Sequence, residues 1–240
     1  MDSPIWQYNE MCQVGIDYAD ASQVTAYDLV ESKLRDIRKE IEDIMDNLVL
    51  NQNQTVLDFG TGTGEFAITA AKYCAEVFAV DVSHTMLDYV HQKAKQEGLT
   101  NIQFHHAGFL TYEHLGEPLH AVASQYALHH LPDFWKLIAL RRIYKMLNKN
   151  GKFYLRDIVY SFSVNNYNNF FNDLTEKIKQ SAGEKISQEK ANGIRNEFPT
   201  LDWIMEELLV KAGFHINKAD YYDGFIAVYM CTKNTGTDSE

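Results

Sequence analysis

The segment TVLDFGTGTGEFAI, residues 55–68, constrains the fold of this 240-residue chain more than any other stretch. It begins with a short apolar run of the kind that fills a buried parallel strand. Three glycines at alternate positions follow at once, and a helix-like pattern begins at Glu65. A strand, a glycine turn and a helix in this order are the first unit of a doubly wound α/β domain. Ligands bind such domains beyond the carboxyl ends of the strands.

Composition and charge narrow the class of protein. The chain is long enough for one sizeable α/β domain, and its hydrophobic content of 45% is ordinary for a globular core. The formal charge of −11 opposes unspecific attraction to nucleic acid or to an anionic membrane, because both reward basic surface. No apolar run is long enough to span a membrane. We therefore expect no nucleic-acid partner and no membrane span.

The N-terminal residues and the cysteines indicate the cellular compartment in which the protein is expected. The first residues, MDSPIWQYNE, have neither the basic region nor the apolar core of a signal peptide. Cys12, Cys74 and Cys231 are odd in number and far apart, which is typical of reduced thiols and not of a disulfide frame or a zinc site. These features predict a cytoplasmic protein without a metal site.

Periodicity divides the chain into three parts. Residues 1–50 are predicted to form an N-terminal helical lid segment, with one amphipathic helix from about Ala26 to Leu48. Residues 51–234 alternate strands and helices, with a helical insertion at about 160–200, and residues 235–240 form a tail. The predicted fold is a Rossmann-like, doubly wound, seven-stranded and mostly parallel sheet. Its last strand belongs to a C-terminal antiparallel hairpin.

The glycine turn carries the first functional signal. A dinucleotide-binding fingerprint requires a third glycine where this chain has Glu65, so that fingerprint is absent. The pattern Asp-x-Gly-x-Gly-x-Gly instead resembles the first motif of the class I S-adenosylmethionine-dependent methyltransferases. In that family the acid and the backbone of the turn hold the methionine part of the cofactor. The resemblance thus implies that the cofactor is bound by Asp58, Gly60, Thr61, Gly62 and Gly64.

A second acid ends the second predicted strand. A carboxylate at the position of Asp81 can accept two hydrogen bonds from a ribose diol. The resemblance assigns Asp81 to the ribose, places Val82 beside the adenine and allows Met86 to pack against the ring. The alternative is that Asp81 caps the following helix, although Ser83 could do so instead.

The turn after the third strand departs from the family pattern. Many members have an aspartate that contacts the adenine amino group where this chain has Gly108. A backbone contact from Phe109 to the adenine stays open, and Phe109 is equally suited to the core.

The segment from Ser124 to Asp133 resembles the fourth motif of the ubiquinone/menaquinone-biosynthesis branch, in which His-His-Leu is common. The resemblance places Gln125 beside the cofactor. His129 and His130 are candidate general bases because imidazole titrates near neutral pH. Alternatively, they fix the strand-to-helix turn by hydrogen bonding. The motif of amino-group methylases, Asn/Asp-Pro-Pro-aromatic, is absent, which argues against a DNA methylase.

Aromatic residues outside the motifs are candidates for covering the site. Tyr18 and Tyr27 lie where relatives carry an aromatic residue that closes over the cofactor, and a core or surface position is equally compatible with each. Aromatic residues of the insertion either line an acceptor pocket or hold the insertion on the domain; these are Phe162, Tyr167, Phe170 and Phe171.

Together these features predict a methyltransferase of class EC 2.1.1.-. It would transfer a methyl group from S-adenosyl-L-methionine to a small-molecule acceptor by direct displacement, leaving S-adenosyl-L-homocysteine. Two other classes stay open. The glycine at position 108, where many family members have an aspartate, favours a protein that binds the cofactor but no longer transfers the methyl group. An NAD-dependent oxidoreductase is opposed by Glu65.

Overall fold

The computed structural model describes residues 4–12 and 21–233, apart from the side chains at positions 21–23, 25 and 26. This part of the chain folds into a mixed sheet with helices on both faces. It contains no helix that is both long enough and apolar enough to cross a membrane.

Seven strands form the main sheet in the order β3-β2-β1-β4-β5-β8-β7. Strands β1 to β5 pair in parallel, and β8 is antiparallel to both of its neighbours. A short strand, β6, pairs with the end of β5. The strands are β1 (Thr55–Phe59), β2 (Glu76–Asp81), β3 (Ile102–His106), β4 (Leu119–Gln125), β5 (Leu147–Tyr160), β6 (Thr200–Leu201), β7 (Phe214–Tyr222) and β8 (Ile226–Lys233). The predicted Rossmann-like, mostly parallel sheet with a C-terminal antiparallel hairpin is confirmed.

Eight α-helices connect and flank these strands in the described residues. They are α1 (Ala21–Glu31), α2 (Ile37–Leu48), α3 (Glu65–Ala71), α4 (His84–Gln96), α5 (Asp133–Met146), α6 (Tyr167–Ala182), α7 (Glu184–Asn196) and α8 (Asp202–Ala212). The prediction of a single helix from about Ala26 to Leu48 is wrong, because the helix is interrupted between α1 and α2. The carboxylate of Asp36 accepts a hydrogen bond from the backbone N–H of Lys39 and starts a new helix there.

The central strands are buried on both faces, as expected for a parallel sheet between helices. Val56, Leu57 and Phe59 of β1 are fully buried. Phe59 packs in a core with Leu140 of α5, while Val56 packs in a second core with Ile44 of α2. Burial on both sides fixes the carboxyl ends of β1, β2 and β4 along one edge. This edge positions the site.

The helical insertion consists of α6 and α7. Its aromatic residues contact one another at the end of β5: the rings of Phe162 and Phe170 stack with their centroids 3.8 Å apart, and Tyr160 meets Phe171 edge to face. Tyr167 is exposed. These contacts support the interpretation that the aromatic residues hold the insertion on the domain.

Candidate active site

A cleft lies at the carboxyl ends of β1, β2 and β4. It encloses about 830 Å³, counting its open mouth. The lining comes from the N-terminal segment, α1, the glycine turn and the loops after β2, β3 and β4. The lining residues are Tyr8, Glu10, Cys12, Tyr27, Phe59, Gly60, Gly62, Asp81, Val82, Met86, Ala107, Gly108, Phe109, Gln125, Tyr126, Ala127, His130 and Leu131.

The glycine turn forms the floor of this cleft between β1 and α3. The backbone N–H groups of Gly60 and Thr61 donate to the carbonyl oxygen of Val80, which ties the turn to β2. Gly60 and Gly62 line the cleft, whereas Thr61 and Gly64 do not. Gly64 has a φ of 78°, and a Cβ there would overlap a methyl group of Val90. Gly64 therefore serves the close packing of the turn on α4.

Asp58, predicted to hold the methionine end of the cofactor, lies behind the cleft lining. Its side chain is buried and accepts a hydrogen bond of 2.7 Å from Oγ1 of Thr61. Burial raises the pKa of Asp58 to about 7, and the nearby Asp81 carboxylate adds to this shift. In this structure the carboxyl group stabilises the turn from within.

Asp81 faces the cleft at the end of β2. Its Oδ2 accepts a hydrogen bond of 2.9 Å from the N–H of Gly62, and its Oδ1 accepts one of 2.8 Å from Ser83. The helix-capping role belongs to Ser83, whose Oγ accepts from the N–H of Met86 at 3.2 Å. Asp81 thus links two backbone turns, and lone pairs beyond those two bonds remain for a ligand. Val82 and Met86 line the same side.

The end of the cleft beyond β3 contains a residue that sequence reasoning missed. Glu10 lies buried there and accepts hydrogen bonds from the N–H of Leu110 at 2.9 and 3.0 Å and from Oγ1 of Thr111 at 2.8 Å. The ring of Phe109 faces the cleft and also stacks on Phe59, with centroids 4.7 Å apart. The glycine at position 108 was the signal in the sequence that a group from another part of the chain fills this space.

Tyrosines cover the cleft from the N-terminal side. Tyr27 lines it, and burial raises the pKa of its phenol. Tyr18, the other predicted covering residue, lies outside the described residues. Tyr8 takes part instead, and its hydroxyl donates to the backbone oxygen of His130 at 3.3 Å.

Gln125 ends β4, Tyr126 follows it, and both line the cleft. Tyr126 has a φ of 52°, a left-handed backbone conformation that is rare for a large residue. Its hydroxyl donates to Oε1 of Glu40 at 2.8 Å, and the guanidinium of Arg35 lies 4.6 Å from its ring centroid. These contacts hold the tyrosine in that conformation beside the ligand space. The sequence motifs gave no indication of this role.

The two adjacent histidines have opposite environments. His129 is buried outside the cleft lining, with Nδ1 2.5 Å from Oδ1 of Asp157 and Nε2 3.4 Å from Oε2 of Glu197. Burial alone would lower its pKa, but the Asp157 and Glu197 carboxylates override this effect and raise the pKa of His129 to about 9. His129 is therefore an imidazolium at neutral pH.

His130 lines the cleft, and its buried Nδ1 has no hydrogen-bond partner among the described residues. Burial, assisted by the charge of His129, lowers the pKa of His130 to about 4. Its imidazole is thus neutral at physiological pH. One ligand-type atom each from His129, His130 and Glu197 lie within 4.8 Å of one another, so these residues could hold a cation. The protonated state of His129 opposes such binding, because a histidine must be deprotonated to the neutral imidazole before it binds a metal.

Comparisons with known proteins agree with this geometry. The family profile described as "Methyltransferase domain" matches residues 56–151. An uncharacterized methyltransferase of Bacillus cereus is 26% identical over 182 residues, which cover 76% of this chain and 79% of that protein.

Solved structures share the fold at low sequence identity. A SAM dependent methyltransferase from Aquifex aeolicus superposes with a TM-score of 0.62 at 17% identity, covering 90% of this chain and 99% of that one. The N-methyltransferase NodS from Bradyrhizobium japonicum, crystallised with S-adenosyl-L-homocysteine, gives a TM-score of 0.58 at 12% identity, covering 87% and 98%.

Proposed function

We propose that this chain is a class I S-adenosylmethionine-dependent methyltransferase and transfers a methyl group to a small-molecule acceptor by direct displacement. The observation that carries the proposal is the composition of the cleft. The glycine turn, the Asp81 carboxylate at the end of β2 and the imidazole of His130 after β4 line one space.

The residues present fit S-adenosylmethionine. Gly62 has room for a close ligand, since a Cβ added there would meet nothing nearer than a backbone oxygen at 4.0 Å. Asp81 retains acceptor capacity for a ribose diol, and Val82, Met86 and Phe109 provide apolar walls for a purine. Gln125 and His130 line the same cleft. When bound, the cofactor supplies a methyl group on a sulfonium, a good leaving group.

Alignment is the main task of the protein in such a displacement. Holding the acceptor atom in line with the methyl carbon and sulfur can lower a barrier by ~7–11 kcal/mol. Residues 4–12 cover one side of the cleft through Tyr8, Glu10 and Cys12. This cover excludes water and favours an acceptor of small size. The formal charge of −11 also disfavours a nucleic-acid acceptor.

An acceptor that must lose a proton needs a base, and we assign that role to His130. Its Nδ1 has no partner among the described residues, and its lowered pKa keeps the ring neutral, so a lone pair is available without prior deprotonation. His129 does not line the cleft and serves as a positioning residue. Its backbone N–H donates to Oδ2 of Asp157 at 2.9 Å, which fixes the turn that presents His130.

Calorimetry with S-adenosylhomocysteine tests the cofactor assignment. The wild type should bind it, and Asp81→Ala should weaken binding about 100-fold, since two charge-assisted hydrogen bonds would be lost. The matched control is Asp88→Ala, an exposed aspartate on α4, which should leave the affinity unchanged. Unchanged affinity in Asp81→Ala would remove that residue from the site. No binding to the wild type would exclude the cofactor assignment.

Transfer of label distinguishes an enzyme from a protein that only binds the cofactor. S-adenosylmethionine labelled in its methyl group should pass label to one or more compounds of a small-molecule extract. Mass spectrometry of the labelled fraction would identify the acceptor. Binding without any transfer would support the silent-protein alternative.

A further inference from the structure

Glu10 enters the core of the cleft from a distant part of the chain. It lies 100 positions before Leu110, the residue whose N–H it accepts. Its side chain is buried, and its carboxylate also accepts from the hydroxyl of Thr111. A carboxylate held by two donors in a buried place costs free energy to desolvate, so its position reflects more than attachment of the segment.

Gly108 leaves the space that this carboxylate fills. A Cβ built on Gly108 would lie 2.8 Å from Oε1 of Glu10 and closer still to its Cδ, well inside van der Waals contact. Any side chain at position 108 would therefore displace Glu10. The glycine and the glutamate form a complementary pair.

The arrangement of polar groups along the cleft indicates what Glu10 faces. Among the described lining residues, the carboxylates are Asp81 and Glu10. With Asp81 assigned to the ribose, Val82 and Met86 follow it in the chain as apolar lining residues. Phe109 also lines the cleft, and Glu10 accepts a hydrogen bond from its neighbour Leu110. A purine between those apolar residues offers ring nitrogens that are acceptors, and in adenine the exocyclic amino group is the donor. A carboxylate is an acceptor when ionised, so its complement is that amino group.

We propose that Glu10 accepts a hydrogen bond from the exocyclic amino group of the adenine of S-adenosylmethionine and selects adenine over other purines. The inference rests on the proposed function, since it takes S-adenosylmethionine as the ligand of the cleft. An ionised carboxylate has about four lone-pair sites. Within the described residues, Oε2 accepts from the N–H of Leu110 at 3.0 Å, and an oxygen with two lone pairs has capacity for a further donor.

Contacts of the residues that precede Glu10 hold this segment in place. The hydroxyl of Tyr8 donates to the backbone of His130, and its ring meets Phe198 edge to face at 6.2 Å. Trp6 stacks on Trp135 of α5 at 6.4 Å. Residues 4–12 thus form part of the cofactor site, and Glu10 needs little reorganisation to accept the ligand.

The test compares two ligands that differ at the 6-position of the purine and in the proton carried by the adjacent N1. In S-inosylhomocysteine a carbonyl oxygen replaces the amino group of S-adenosylhomocysteine. Calorimetry on the full-length wild type should show a clear preference for S-adenosylhomocysteine. In Glu10→Gln the ratio of the two dissociation constants should fall by about tenfold, because the glutamine amide can donate to the inosine oxygen.

Thr111→Val is the matched control for a purely structural role of Glu10. It removes one donor to the Glu10 carboxylate without altering the acceptor, so both affinities should change by the same factor and the ratio should be kept. If Glu10→Gln also leaves the ratio unchanged, the inference is overturned. If the wild type binds neither ligand, the proposed function fails instead.

A rescue experiment tests the complementary pair. Glu10→Ala should weaken binding of S-adenosylhomocysteine, and the double variant Glu10→Ala/Gly108→Asp should regain a large part of the affinity. Gly108→Asp alone should bind poorly, since two carboxylates would compete for one space. Circular dichroism checks that each variant is folded. Failure of a folded double variant to exceed Glu10→Ala would count against the assignment, and the Glu10→Gln ratio decides independently if the double variant does not fold.

Discussion

The two sides of the cleft are built by different means. On the β1–β2 side, the groups that face the ligand are a glycine backbone and Asp81, which is linked to Gly62 only 19 positions away. On the β4–β5 side, Tyr126 is held by Glu40 across 86 positions, and His129 by Asp157 across 28. The first side owes its geometry to local backbone structure, whereas the second owes its charges to distant segments. Substitutions should therefore alter backbone packing on one side and protonation on the other.

The largest effect on stability is expected on the β4–β5 side. His129→Ala leaves the fully buried Asp157 without its cationic partner and should lower the free energy of unfolding by about 3–5 kcal/mol. Urea denaturation measures this value. His130→Ala is the neighbouring control and should cost much less, because its Nδ1 has no partner to lose within the described residues. Equal losses of unfolding free energy in the two variants would contradict the different roles assigned to His129 and His130.

The β1–β2 side should respond to backbone and packing changes. Gly64→Ala places a Cβ against a methyl group of Val90 and strains a positive φ, so unfolding should become easier by about 3 kcal/mol. Gly62→Ala shares the positive φ but meets open space and should cost only about 1 kcal/mol. Thermal unfolding followed by calorimetry separates the two. A similar loss in both would mean that strain, and not packing on α4, governs the turn.

The rate of methyl transfer should depend more on His130 as a base than on His129, which only positions the turn. For an acceptor that must lose a proton, His130→Ala should reduce the rate of methyl transfer about 100-fold. Its affinity for S-adenosylhomocysteine should change little, since the turn and Asp81 are intact. Initial rates of label transfer, measured with the acceptor fraction that the wild type uses, provide the number. An undiminished rate would restrict the role of His130 to shaping the turn.

A smaller effect concerns pH. The folded-state pKa of His129 is raised to about 9, above its ordinary value of 6.5. The stabilisation by Asp157 and Glu197 is therefore complete below pH 6.5 and is lost as pH rises through 9. The stability difference between wild type and His129→Ala should shrink across this window. Urea titrations at pH 6, 7.5 and 9.5 would measure this decrease. A stability difference that grew with pH would contradict the positive charge assigned to His129.

The contrast between the two sides also explains what the sequence could predict. Strands β1, β2 and β4 were found because a buried parallel strand is an apolar run that ends in a glycine, an acid or a polar residue. The break between α1 and α2 was missed because the apolar spacing continues across it. Glu10 was not assigned because only tertiary contacts bring it to the cleft, and Asp157 and Glu197 were not assigned because only tertiary contacts bring them to His129. The individual cofactor-binding roles stay predictions until a ligand is bound.

A side chain at position 108 and the carboxylate of Glu10 would occupy the same space, and this overlap has an evolutionary consequence. A lineage that carries the acid on the loop after β3 cannot exchange it for one on the N-terminal segment in a single step. Each one-residue change gives either two carboxylates in one space or none. The amino acids at positions 10 and 108 should therefore vary together among relatives. The first residues of the chain would then be inherited as a part of the cofactor domain and not as a dispensable extension.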